Sequence, residues 1–413
     1  MPNRVVVTGI GAVSPVGLDA ASTWEALIAG RSGVARITLF DPSEQDVTIA
    51  GEVKDFDPTV AMDRKEARRN DRFVQFAVAA AREAVEHAGL GINAGNSDQI
   101  GVIIGSGIGG IGTLSEQLEV LREKGPRRVS PFLVPMMISD MASGQVSIVL
   151  GARGPNVCTV SACSSGADAV GYSFEVIRRG DAIAMIAGGA EAAVTPIGVA
   201  GFASARALST RNDDPGGASR PFDAGRDGFV LGEGSAILVL ESLDHALARG
   251  APILAELAGY GMTADAHHIT QPAEGGEGGV RAMRHALSQA GVCAEEVDYV
   301  NAHGTSTPMN DKFETQAIKT VFGEHAYEMP ISSIKSMVGH LLGAAGALEA
   351  CVCVQTIQSG IIPPTINFTT ADPECDLDYT PNTARQIPVK TVLSNSFGFG
   401  GHNSSLLFVE YLP

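Results

Sequence analysis

The 413-residue sequence is short of positive charge, of aromatic rings and of sustained apolar runs. Lys and Arg total 29 against 46 Asp and Glu, a formal net charge of −17, so neither nucleic acid nor anionic lipid is expected as a general partner. The Ala-rich stretch 181–203 is interrupted by Glu191 and Pro196 and does not read as a membrane span. Near the start, the apolar run 5–7 is too short for a secretory leader, and Gly9, Gly11, Pro15 and Gly17 follow at once. Cys158, Cys163, Cys293, Cys351, Cys353 and Cys375 include no C-x-x-C pair, so zinc and thioredoxin-like chemistry have no support. These absences together predict a soluble protein of a reducing compartment, placed in the cytoplasm.

Hydrophobic residues make up 45% and charged residues 18%, enough for a large buried core, and 49 glycines point to tight turns and close backbone approaches. Val/Ile-rich strands predicted at 4–8, 100–104, 157–160, 182–187 and 235–240 alternate with predicted helices at 72–87 and 164–179. That alternation is the pattern of α/β layers. The second half echoes the first. Strand 157–160 leads through Ser161, Ala162 and Cys163 into a small-residue helix closed by Gly180. Likewise, Ile331-Ser332-Ser333-Ile334 leads through Lys335 and His340 to Gly343-Ala344-Ala345-Gly346-Ala347 and a helix ending near Gly360. This reads as a duplicated unit with its seam near 249–253, giving halves 1–250 and 251–413, and the two small-residue helices are expected to pack at a shared centre. Chance likeness of two helices is the alternative on this pattern alone.

Cys163 stands between a strand and a helix start, where free N–H groups and the helix dipole are expected to lower the thiol pKa. A buried structural cysteine is the competing reading. His303 follows the apolar run 297–300 and precedes Gly304 and Thr305, where α/β folds place ligands. His340 opens the second small-residue helix, a position that disfavours imidazolium and suits an N–H donor to an oxyanion. Any one of nine histidines is more often a packing residue. The segment 395–402, Asn-Ser-Phe-Gly-Phe-Gly-Gly-His, reads as a mobile glycine-laced loop beside a cavity. Two basic clusters stand out against the acidic whole: Arg64, Lys65, Arg68, Arg69 and Arg72, and Arg122, Lys124, Arg127 and Arg128. Alone, each reads as a solvated face.

Taken in order, the Ser161-Ala162-Cys163-Ser164-Ser165-Gly166 segment, residues 301–307, residues 335–340 and residues 395–401 resemble the signatures of β-ketoacyl-[acyl-carrier-protein] synthases of the thiolase-like superfamily, across nearly the whole chain. The closest type is synthase II; synthase I and a polyketide ketosynthase are the alternatives. The resemblance implies a five-layer α-β-α-β-α fold from an internal duplication, a homodimer, and elongation of fatty acyl chains by decarboxylative condensation with malonyl-carrier protein. It implies no cofactor beyond the phosphopantetheine arm of the acyl carrier protein. Cys163 becomes the acyl-bearing nucleophile, and His303 and His340 the donors to the malonyl thioester. Lys335 orders the histidines, and Phe399 acts as a gate and backbone oxyanion donor. Ile108, Phe202, Thr270, Thr305 and Thr307 fall at substrate-binding positions, with Ile108 at the end of the acyl tunnel. Lys65, Arg69, Arg127 and Arg206 correspond to carrier docking, and Asn301, Glu349, Ser394 and Asn395 to a monovalent-cation site. His402, where many relatives have threonine, is assigned to structure. A thiolase would need a second catalytic cysteine near the C-terminus, and a chain-length factor would lack Cys163.

Overall fold

Alternation of Val, Ile and Ala puts an apolar set on each face of a strand. The computed structural model, which describes residues 2–412, buries both faces. The large sheet runs, edge to edge, Ile331–Ser332, Tyr299–Asn301, Thr391–Gly398, His402–Val409, Ala255–Ala264, Val5–Val13, Gly234–Ser242, Ala184–Glu191, Ile100–Gly105 and Asn156–Val157. This order contains a repeat. Within each half the strands, counted along the chain, lie 3-2-4-5-1, with 3, 2 and 4 parallel and 4, 5 and 1 antiparallel. The halves join through their first strands, where Val5, Val6 and Val7 pair with Leu257, Glu256 and Ala255.

The repetition extends to irregularities. Each first strand slips register against its neighbour by one residue, at Thr8 and at Ala258. A Gly-x-Gly follows each slip. A methyl group on Gly9 or Gly11 would lie 2.2 or 2.1 Å from carbonyl oxygens of helix Arg72–Ala88, and one on Gly259 or Gly261 would lie 2.1 or 1.9 Å from those of helix Glu277–Ala290. Glycine is needed because a helix backbone rests directly on the strand. For the same reason the first strand continues to Val13 rather than stopping at residue 8: its glycines mark a close approach, not a loop.

Ile103, Met185 and Leu238 of the first half and Leu257, Val392 and Phe408 of the second share one core with helices Ser165–Arg179 and Ala345–Ser359. The alternate residues Val102, Ile186 and Val239 pack under Arg72–Ala88. Val300, Leu393 and Leu407 pack under Glu277–Ala290 and Pro308–Phe322. The layers are therefore helix, sheet, helix pair, sheet, helix. The central helices touch where expected: a methyl on Gly166 would lie 2.7 Å from the Gly343 carbonyl oxygen, and one on Gly346 would lie 2.8 Å from Ala167 Cβ. The strand predicted at 157–160 shrinks to Asn156–Val157, since Thr159 Oγ1 turns to the Ser165 carbonyl (2.8 Å) as the chain bends towards Cys163. Among the described residues no helix is long and apolar enough to cross a membrane.

Candidate active site

Each central helix begins with the same strained turn. Ala162 has φ +52° and opens a 3-10 turn, Ala162–Ser164, ahead of Ser165–Arg179; Leu342 has φ +48° and opens Leu342–Ala344 ahead of Ala345–Ser359. Non-glycine residues hold such a conformation only where their surroundings enforce it. Cys163 is the second residue of the first turn and Gly343 is its counterpart. Ser161 donates to the buried Asp168, which also accepts from Tyr260 Oη (2.7 Å), and Ser165 Oγ reaches the Ala162 carbonyl (2.7 Å).

Cys163, His303 and His340 form the floor of a cavity of about 330 Å³. All three are buried, and the backbone N–H groups of Phe399 and of Cys163 itself favour the charged form of the thiol. The imidazoles meet edge to face, with ring centroids 5.3 Å apart. Burial first, and the Lys335 charge second, hold both well below the ordinary histidine pKa, so both are neutral. Their tautomers follow from their partners. The Leu342 N–H donates to His340 Nδ1 (3.3 Å), and Lys335 Nζ, an obligate donor, faces His303 Nδ1 (3.4 Å). Each ring therefore carries its proton on Nε2. His340 Nε2 is buried with no protein partner.

Lys335 lies behind the histidines rather than on the cavity wall. Its ammonium pairs with Glu349 and donates to the His303 carbonyl (2.7 Å). The backbone N–H groups of His303 and Gly304 both donate to Glu314 (2.8 Å each), whose pKa burial pushes up to about 7. Cys163 departs from expectation. Its helix-start position was expected to lower the thiol pKa, but burial outweighs the Lys335 charge and the Phe399 N–H and pushes it up to about 11. At rest the group is a thiol.

With this geometry in place, the likenesses to known proteins are decisive. The β-ketoacyl synthase N-terminal domain model matches residues 2–246, and the β-ketoacyl synthase C-terminal domain model matches residues 254–369. The chain belongs to the β-ketoacyl synthase family. A 3-oxoacyl-[acyl-carrier-protein] synthase 2 of Synechocystis sp. is 57% identical over 408 residues, covering 99% of this chain and 98% of that one. A β-ketoacyl synthase from Burkholderia phymatum superposes with a TM-score of 0.92 at 41% identity, covering 99% of this chain and all of the other. A chain from a complex of a type II polyketide acyl-carrier protein with its ketosynthase gives a TM-score of 0.91 at 35% identity, each chain being covered in full. The protein is thus a condensing enzyme, an acyltransferase of the synthase 2 type, on the thiolase-like fold.

The synthase's cavity gathers most of the residues singled out in the sequence. Phe202, Thr270, Thr305, Thr307 and Phe399 line it, Thr305 and Thr307 share a hydroxyl contact (2.9 Å), and exposed Arg206 stands at its rim. Ile108 is not on this wall; it packs against the apolar cluster of Cys163, Val199 and Leu342. Lys65, Arg69 and Arg127 are exposed and lie outside the cavity. Arg72 leaves the basic cluster, because its guanidinium is tied to buried Glu233 (2.7 Å) and to the Val53 carbonyl (2.7 Å). His402 is exposed, and it is its carbonyl that engages Ser164 Oγ (3.2 Å). Asp265 and Asn403 also line the cavity and escaped the sequence reading. Phe397 lines it too, but the segment 395–402 expected as a loop is strand up to Gly398 and again from His402, pairing as a hairpin that leaves only 399–401 as the turn. Glu314 escaped too. Its trace was a carboxylate on the apolar stripe of Phe313, Ala317 and Ile318, where a solvated acid does not belong.

Proposed function

We propose that the synthase extends fatty acyl chains by two carbons, with Cys163 carrying the acyl group and His303 and His340 activating malonyl-carrier protein. One observation carries this reading: a buried thiol and two neutral Nε2–H imidazoles share one cavity floor, and His340 Nε2 has no protein partner. In the first half-reaction the sulfur attacks the carbonyl of an acyl thioester, and the thiol proton leaves on the released carrier thiol. The N–H groups of Cys163 and Phe399 hold the oxyanion. In the second, the two Nε2–H groups bind the malonyl thioester oxygen while carbon dioxide departs, and the enolate carbon attacks the acyl group on Cys163. The thiolate so released takes up one proton. Lys335, through His303 Nδ1, keeps the imidazole a donor at Nε2.

Thr305 and Thr307, paired on the wall, suit the phosphopantetheine arm, and Phe202, Thr270 and exposed Phe399 the substrate entering beside it. Exposed Lys65, Arg69, Arg127 and Arg206 give an acidic carrier a basic landing site on an otherwise acidic protein. We assign residues 1–250 and 251–413 as its two halves. Exposed Val157 and Val160, on or just after the edge strand Asn156–Val157, together with exposed Val134 and Ile148 on helices Leu133–Met137 and Met141–Leu150, favour a homodimer over a free edge. A cytoplasmic location agrees with its six free cysteines. Asn301 Oδ1 and Glu349 Oε2, buried oxygens with no hydrogen-bond partner, fit a monovalent cation near Ser394 and Asn395, which would supply a fixed positive charge; Asn395 Oδ1 already accepts from Ser405 (2.8 Å). Identity of 57% to a synthase 2, against 35% to the polyketide-complex chain, favours fatty acid over polyketide elongation.

Intact mass tests the assignment. After mixing with acyl-carrier protein the synthase should gain one acyl group, and Cys163→Ala should gain none. A variant still labelled in full would overturn it.

A further inference from the structure

Glu191 ends the strand Ala184–Glu191 fully buried, and no step above uses it. Its carboxylate receives four donors: Ser106 Oγ (2.9 Å) and the backbone N–H groups of Gly107 (2.7 Å), Ile108 (3.2 Å) and Gly343 (3.0 Å). An acceptor-only group ringed by donors is satisfied as it stands. The repeat explains its place. Glu191 pairs with Gly234 at the end of the fourth strand of the first half, and Gly398 pairs with His402 at the same point of the second. Gly398 lies against Cys163, where a methyl group would come 3.2 Å from the Cys163 nitrogen; Glu191 extends its carboxylate to the N–H of Gly343, the counterpart of Cys163. One half leaves the turn N–H open for a substrate oxyanion. The other fills the equivalent place with its own carboxylate.

The filled place has a second consequence. Ser106, Gly107 and Ile108 leave the strand Ile100–Gly105 and hang three donors in a row on this carboxylate. Ile108 packs into the cluster of Cys163 and Leu342, and Gly343 follows Leu342 directly. Through one side chain the backbone of Ile108 is thus tied to the turn behind His340.

We propose that Glu191 is a positioning residue that limits the length of the acyl chain held on Cys163, by fixing the Gly107–Ile108 backbone against the Gly343 turn. The proposal rests on the reading of Cys163 as acyl carrier and of Ile108 as the end of the acyl tunnel. Glu191→Gln keeps size but turns an amide N–H₂ towards N–H donors, freeing the loop. The test is kcat/KM over a series of acyl-carrier-protein chain lengths, from two carbons to the longest accepted, for wild type, Glu191→Gln, Ser106→Ala and Ile108→Phe. The expected result for Glu191→Gln is a change of about tenfold in the ratio of longest to shortest chain, the size of effect that one unsatisfied buried bond produces. Ser106→Ala, which removes one donor and serves if the glutamine variant does not fold, should move the ratio the same way by about threefold. An equal loss at every chain length, or an unchanged ratio in both variants, would overturn the proposal. Ile108→Phe separates the two levels. If it leaves the chain profile untouched, the tunnel reading itself fails; if it shortens the profile while Glu191→Gln and Ser106→Ala do not shift it, only the role of Glu191 fails.

Discussion

The turn at Ala162–Ser164 and the turn at Leu342–Ala344 have one backbone and two uses. Both open with a non-glycine residue at positive φ, and both begin a 15-residue helix closed by a left-handed glycine, Gly180 or Gly360. At the first, a thiol stands at the second position, and the facing strand end is a glycine that leaves room for substrate. At the second, the thiol position is Gly343, where a methyl group would lie 2.3 Å from the Gly107 nitrogen and 2.7 Å from Glu191. A fold can keep a strained turn for its own stability in one copy and spend the same geometry on chemistry in the other. Strain alone, then, does not mark the catalytic copy; the free space beside it does.

Three experiments bear on that comparison. The largest effect is expected from His340→Ala, which removes an Nε2–H donor next to the second turn. Malonyl-carrier decarboxylation should fall about 10²–10³-fold while acyl transfer to Cys163 persists. Decarboxylation at the wild-type rate would detach the second turn from the chemistry. Next come the paired glycines. Gly343→Ala should destabilise the protein by about 1–3 kcal/mol through overpacking, measured by denaturant unfolding. Gly398→Ala crowds the turn that carries the thiol, at the Ser161 carbonyl (2.6 Å) and the Cys163 nitrogen (3.2 Å), and should cost activity beyond what its loss of stability explains. If the two variants behaved alike, the contrast between the turns would be lost. The smallest effect is a matter of pH. Both histidines are held neutral well below 6.5, so decarboxylation should change by no more than about twofold between about pH 6 and pH 8, whereas ordinary imidazoles would lose most of their neutral form at the lower end. Acyl transfer should instead climb with pH, because the thiolate fraction grows towards the raised pKa of about 11.

Much of this site was legible in the sequence because its residues sit in local patterns. A cysteine at a strand-to-helix junction, a histidine after a strand and a glycine-laced aromatic segment are each visible within about ten residues, though the last was read as a loop and is a hairpin. The duplication was legible for the same reason, as two small-residue helices in matching order. What was illegible depends on burial. The shift of the Cys163 thiol was read with the wrong sign, since the helix start is a local feature and the enclosure around it is not. The donors to Glu191, Glu314 and Asp168 come from other segments of the chain, and only the packed structure brings those backbone N–H or hydroxyl groups to them. Arg72 was misread as part of a basic patch because its buried partner, Glu233, is far away in the chain.

The strand Val5–Val13 has a neighbour on each side, Gly234–Ser242 and Ala255–Ala264, and both come from the middle of the chain. During synthesis it therefore emerges long before anything exists to pair with it. An apolar, unpaired strand kept waiting is an invitation to wrong partners. The join that makes one sheet of two halves also raises the contact order, which favours slow folding, and leaves this strand without its second neighbour until residues beyond 250 leave the ribosome.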